Sequence, residues 1–266
     1  MGFNRNCWWI LVAAGLAGMC FAASRLVLRS RPALVRAQTG ITPFTLETEI
    51  TSFVHDPHGA PHRRETLAVR SDGSRSTTST FLGKIGLDAG ETQRTIQFID
   101  GRKVTMFLSL GVKNTWRPLG QAELQRLKAR FFNPPPDCSG SGLTLVKYET
   151  VEGQRVAMMT HSSDELNWKV TVWLAPELAC QKLRYLSYDK QPDGSFKLQT
   201  EGKATKLVLG EPDPAMFEEP AGFREVRPSE AGRMVAEKYH IPISKEMQED
   251  FDRGDRAYSG TLYSPR

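Results

Sequence analysis

Three histidines, His55, His58 and His62, fall in one short stretch, and imidazoles on a loop ligate zinc or copper when the backbone gathers them. Pro57, Gly59 and Pro61 interleave them as turn punctuation and the spacing fits no established metal motif, so a solvated turn is expected. His161 with Asp164 and Glu165 would make a base with an orienting carboxylate, and Ser139 or Ser141 would serve as nucleophile. Glu149, Glu152, Asp164 and Glu165 could pair for sugar hydrolysis, although carboxylates at strand ends ordinarily form the wet rim of a sheet. The chain carries no nucleophile elbow, HExxH pair, phosphate loop or dinucleotide fingerprint. The expectation is therefore a protein that is not an enzyme, with no cofactor and no metal site.

The stronger chemical signal is apolar. Ile96 and Phe98, then Val104, Met106 and Leu108, then Val170, Val172 and Leu174 recur at every second position. In strands such residues share a face. One curved sheet with one helix leaves part of that surface uncovered, which makes these eight residues the candidates for holding an acyl chain or other apolar ligand. An ordinary packed core is the competing reading. Cys138 and Cys180 are the two cysteines beyond the N-terminal segment. An even pair in a β-rich chain suits one disulfide in an oxidising compartment, with two separate buried thiols as the alternative.

The elements that would position these residues follow from period-two alternation. Phe44 to Val54 places Phe44, Leu46 and Ile50 opposite Thr45, Glu47 and Glu49, as in a strand buried on one side. Arg63 to Arg70 and Arg75 to Leu82 flank Asp72-Gly73, and Thr95 to Ile99 and Lys103 to Leu108 flank Asp100-Gly101, both hairpin signals. Between Gly120 and Phe132 the period changes. Ala122, Leu124, Leu127 and Phe131 predict one amphipathic helix, ended by Pro134-Pro135-Pro136. Strands resume at Lys147 to Val151, Arg155 to Thr160, Trp168 to Leu174, Gln181 to Tyr188 and Phe196 to Leu209. Nine or ten strands and one mid-chain helix predict a mainly β (α+β) fold, a curved antiparallel sheet or incomplete β-barrel. Glu230 to His240 and Ser244 to Phe251 read as short polar helices, with Met234, Val235, Tyr239 and Ile241 available for docking.

The N-terminus sets the compartment. Trp8 to Ser24 is a run of 17 residues without a charge. That is at the short edge of a bilayer span, about 17 to 25 residues, and longer than a usual signal core of about 7 to 15. Arg25, Arg29, Arg31 and Arg36 follow it and only Arg5 precedes it, which by the positive-inside tendency keeps the body in the cytoplasm. The cysteine pair points to export, and a periplasmic or inner-membrane-anchored body in the cell envelope is the expectation. These five arginines also account for the net charge of +5, leaving the remainder balanced. Nucleic acid is excluded as a partner, since binding it requires a cationic excess. The expected organisation is an export signal or transmembrane anchor over residues 1–37, a link over 38–43, an antiparallel β domain over 44–227 and a polar helical extension over 228–266.

The closing run Glu211-Pro212-Asp213-Pro214-Ala215-Met216-Phe217, followed by Glu219-Pro220-Ala221-Gly222-Phe223, resembles the one that ends the periplasmic lipoprotein-carrier (Lol-type) family. Element order extends the likeness over residues 44–227. The resemblance implies a strongly curved, incomplete β-barrel whose apolar concave side holds an acyl chain beneath helices that act as a lid. This chain shows one clear helix where the carriers have several. Regulatory relatives of the carriers imply the alternative, a sheet that recognises another envelope protein along a strand edge.

Overall fold

The computed structural model describes residues 41–54, 60–82, 89–116, 137–139, 142–162 and 167–258. They fall into two compact units, one within Thr39–Val226 and the other beginning at Arg227. The Trp8 to Ser24 segment, the predicted helix over residues 120–132, and His55, His58, Ser141, Asp164 and Glu165 lie outside the described residues. Among the described residues no helix is long and apolar enough to cross a membrane.

The first unit is a single open, curved sheet. A first meander contains β1 (Phe44–Ser52), β2 (Pro61–Val69), β3 (Arg75–Phe81), β4 (Thr92–Gln97), β5 (Lys103–Phe107) and β6 (Val112–Trp116). A second contains β7 (Thr144–Val151), β8 (Gln154–Ser162), β9 (Trp168–Ala175), β10 (Gln181–Lys190) and β11 (Phe196–Leu209). Antiparallel pairing of β1 with β11 joins the two. A two-residue β12 (Arg224–Glu225) adds to β6 in parallel, so the order is β12-β6-β5-β4-β3-β2-β1-β11-β10-β9-β8-β7.

The hairpins are local in origin. At Asp72, Asp100 and Asp193 the carboxylate accepts the N–H two residues on, and a glycine directly after the aspartate turns the chain. The β7–β8 turn needs two left-handed residues, Glu152 at φ 49° and Gly153 at φ 72°, matching the two-residue hairpin geometry. The sequence gives no strand signal for β6, whose VKNTW run mixes charge and amide with apolar residues, nor for the dipeptide β12.

The closing run is a strap. Asp213 caps a 3-10 turn, Pro214–Phe217, by accepting from the Ala215 N–H at 2.9 Å. Arg94 donates to the Ala215 carbonyl at 2.9 Å, and Arg70 lies 4.0 Å above the Phe217 ring. Glu219 is held by Arg102 at 2.6 Å and Lys113 at 2.9 Å. β12 then finishes the strap, with both Glu225 oxygens on Thr115 and the Asn114 amide on the Val226 carbonyl.

In the second unit α1 (Pro228–Lys238) packs on α2 (Lys245–Tyr258). A Cβ on Gly232 would stand 2.3 Å from the Phe251 ring, so this glycine is what lets the aromatic approach the α1 backbone. Ser229 donates to Asp255 at 2.7 Å, and Ala231, Ala236, Met247 and Phe251 are buried.

Candidate ligand-binding site

Strand registers decide which of the predicted residues meet. Directly opposed residues share a face, and residues an odd number apart along one strand do not, unless a bulge intervenes as it does in β10 between Lys182 and Arg184. One row runs Thr45, Ala68, Ser76, Ile96, Val104 across β1 to β5. Another runs Arg63, Ile50, Gly202, Tyr185, Val172, Met159 from β2 through β1 and β11 to β8. Thr45 and Ile50 are on opposite sides of β1. Ile96 and Val104, with Met106 two residues on, therefore occupy the other face from Val170, Val172 and Leu174. The structure does not bring the eight candidates to one surface.

The first group is closed. Ile96, Val104 and Met106 have no solvent exposure and pack with Ala68 beneath Phe217, with Phe98, Met216 and Phe223 at the margin. Leu108 lies in a 3-10 turn, over a third exposed. These residues make a core covered by the strap. The second group is different. Val172, Met159 and Ala157 form a floor with Cys138, and Val170, Leu174, Leu143 and Tyr185 pack on it while keeping partial contact with solvent. Cys138 and Cys180 are joined by a disulfide in this cluster.

The same face carries a charged recess that periodicity does not reveal. Glu65 and Ser79 are directly opposed, and the Ser79 hydroxyl and the Arg63 guanidinium both bind the Glu65 carboxylate, at 3.2 Å each. Arg63 and Tyr185 are three strand spacings apart, about 14 Å at ~4.8 Å per spacing. The two long side chains close that gap: Tyr185 lies flat over β11, where a Cβ on Gly202 would be 2.0 Å from its ring, and Arg63 reaches its hydroxyl. Lys182 sits with its ammonium 4.6 Å from the Tyr185 ring centroid.

Burial pushes the Tyr185 phenol up to about 12; the Arg63 charge opposes that rise and the Glu65 charge adds to it. Burial also lowers the Lys182 ammonium below its ordinary value, against the pull of Glu65. Lys182 is nevertheless exposed, so it stands at the open rim of this group and not inside the core. Glu65 is already engaged by Arg63, and among the described residues no carboxylate lies within ion-pair distance of Lys182.

Of the candidate catalytic residues, Ser141, Asp164 and Glu165 lie outside the described residues. His161 Nδ1 is 2.8 Å from the Gly142 carbonyl, its ring against Trp168. Ser139 caps Asp137 through its backbone N–H. Glu149 accepts from the Trp173 indole and pairs with Lys147 at 2.9 Å; these hydrogen bonds, Lys147's first, hold its pKa down. Among the described residues no three His, Cys, Asp or Glu side chains gather as metal ligands.

An open, curved antiparallel sheet with an apolar floor beside a charged recess is the class that fold and site define. No family model and no curated protein matches the chain. Among solved structures it is similar to the MucA/MucB complex of Pseudomonas aeruginosa, at 20% identity over 70% of this chain and 58% of that chain, with TM-score 0.40. It is also similar to MucB in complex with MucA(peri), at 17% identity over 70% and 57%, TM-score 0.38. An outer membrane lipoprotein-sorting protein domain from Vibrio parahaemolyticus matches at 12% identity over 67% of this chain and 89% of that one, TM-score 0.28. The chain thus spans less than two thirds of the MucB-complex chains. Likenesses this distant carry no argument about what the chain binds.

Proposed function

We propose that the sheet unit is a non-enzymatic binding module of the cell envelope that holds an apolar, acyl-type ligand on the Val170, Val172 and Leu174 face. The observation that carries this reading is the contrast between the two apolar groups. The strap seals Ile96, Val104 and Met106, whereas Val170, Leu174 and Leu143 stay partly open above a buried floor. An apolar surface left open beside polar groups is the usual form of a small-ligand site. The Cys138–Cys180 disulfide supports an oxidising compartment, and Trp8 to Ser24 would bring the module to the membrane. Native mass spectrometry of the purified chain, with organic extraction, tests the reading. A co-purifying lipid lost in Leu174→Glu supports it; an empty chain that takes up no added lipid refutes it.

A second reading has its own observation. In the sheet order β7 is an edge, and Leu145, Val146 and Tyr148 along it are 42%, 53% and 40% exposed. An edge strand with apolar side chains is a template for adding a partner's strand. Recognition of another envelope protein would then use β7. Val146→Pro should abolish partner capture by that route while leaving lipid uptake intact.

A further inference from the structure

Among the described residues, no carboxylate lies within ion-pair distance of Lys182. An exposed ammonium with no carboxylate on it is free to donate a charge-assisted hydrogen bond to an arriving anion. The surroundings match an anion. The Tyr185 ring lies over Gly202, with the Arg63 guanidinium at its hydroxyl and the Lys182 ammonium 4.6 Å from its centroid, and the Arg63 Nε is buried with no hydrogen-bond partner among the described residues. Glu65 neutralises one of the two cations, so the recess keeps one net positive charge.

The floor adjoins it directly. Tyr185 is opposed to Val172 and Ser187 to Val170, while Lys182 is opposed to Leu174. Charge and apolar surface thus alternate along a single hairpin, and a ligand with one anionic end and one apolar chain spans both.

We infer that the Arg63–Lys182–Tyr185 recess is the headgroup subsite of the proposed apolar site and takes the carboxylate or phosphate of a single-chain amphiphile. This rests on the proposed function, deepening it from an apolar ligand to an anionic one. The chain runs over Val170, Val172 and Leu174, and Lys182 supplies the charge-assisted hydrogen bond that selects the headgroup.

Calorimetric titration of the full chain with dodecanoate, dodecyl phosphate, dodecanol and inorganic phosphate, below the micellar range, tests it. The anionic amphiphiles should bind about tenfold to a hundredfold more tightly than dodecanol, as expected for a hydrogen bond to a charged group. Lys182→Gln should remove that preference and Lys182→Arg restore most of it, with circular dichroism confirming the same fold. Equal binding of dodecanoate and dodecanol would overturn the headgroup inference while leaving the apolar site standing. Inorganic phosphate binding as tightly as the amphiphiles would overturn it in favour of a free-anion site. Failure of every amphiphile to bind would overturn both.

Discussion

Gly202→Ala reads out the geometry of the recess through the sign of its effect on stability. Glycine inside a strand is unfavourable relative to alanine by about 0.5–1 kcal/mol, so a site with free space above it would gain from the substitution. Here the new Cβ would be 2.0 Å from Tyr185 Cε1, 2.6 Å from Cδ1 and 2.7 Å from Cζ. Those are ring atoms held at both ends, by the strand backbone and by Arg63 at the hydroxyl, so the ring must lift as a whole. Overpacking of this kind costs about 1–3 kcal/mol, which exceeds the propensity gain. Gly202→Ala should therefore destabilise the chain by roughly 0.5–2 kcal/mol. In a Tyr185→Ala background the clash is absent, and the same change should be neutral or stabilising. Urea unfolding of the four proteins, followed by far-ultraviolet circular dichroism, gives the coupling energy, expected within about 0.5–3 kcal/mol. A stabilising Gly202→Ala in the parent chain would show that Tyr185 does not lie over β11, and the recess would lose its wall.

Three further outcomes follow from the same contacts. Phe217→Ala should cost about 3–5 kcal/mol and raise dye binding to exposed apolar surface, because it uncovers Ile96, Val104 and Met106; a change below about 1 kcal/mol would mean the strap does not cover that face. Cys138 and Cys180 are 42 residues apart, and removing their bridge should lower stability by up to about 4 kcal/mol in the chain-entropy account, measured by unfolding with and without reductant. Tyr185 is raised to about 12 in the fold, so the folded state holds its proton longer than the unfolded chain; its contribution is complete below about pH 10 and is lost as pH rises through 12. Phenolate absorbance should show one late-titrating tyrosine that Tyr185→Phe removes, and its absence would contradict the buried position.

Most of the fold was legible because its determinants are local. Alternation in Phe44 to Ser52 and Trp168 to Ala175 and the Asp-Gly turns at 72–73 and 100–101 each act over a few residues, and the hairpins form where those signals stand. β6 and β12 were not legible for the opposite reason. Val112–Trp116 is a strand because β5 offers it a ladder and the strap returns to its other edge, neither of which is local. The closing run stands out in the sequence, yet its physical role depends on Arg70, Arg94 and Arg102, more than a hundred residues earlier in the chain.

The candidate site is only half legible in the sequence, and parity explains which half. Period two says that Ile96 pairs with Phe98 in orientation and Val170 with Val172, but not which of the two faces each strand presents. Only registers propagated across every intervening strand fix that, and one slip reverses the answer. The registers separate the two sets, so the apolar residues predicted to share a surface form a sealed core and an open floor. The recess was invisible for a further reason. Arg63 and Glu65 on β2 look like ordinary solvated charges, and Gly202 like a weak point in a strand. Their meaning appears only when Tyr185 and Lys182, more than a hundred residues from Arg63 in sequence, come to lie beside them. A polar group built across non-adjacent strands has no sequence period, which is why apolar alternation points to the floor and not to its charged neighbour.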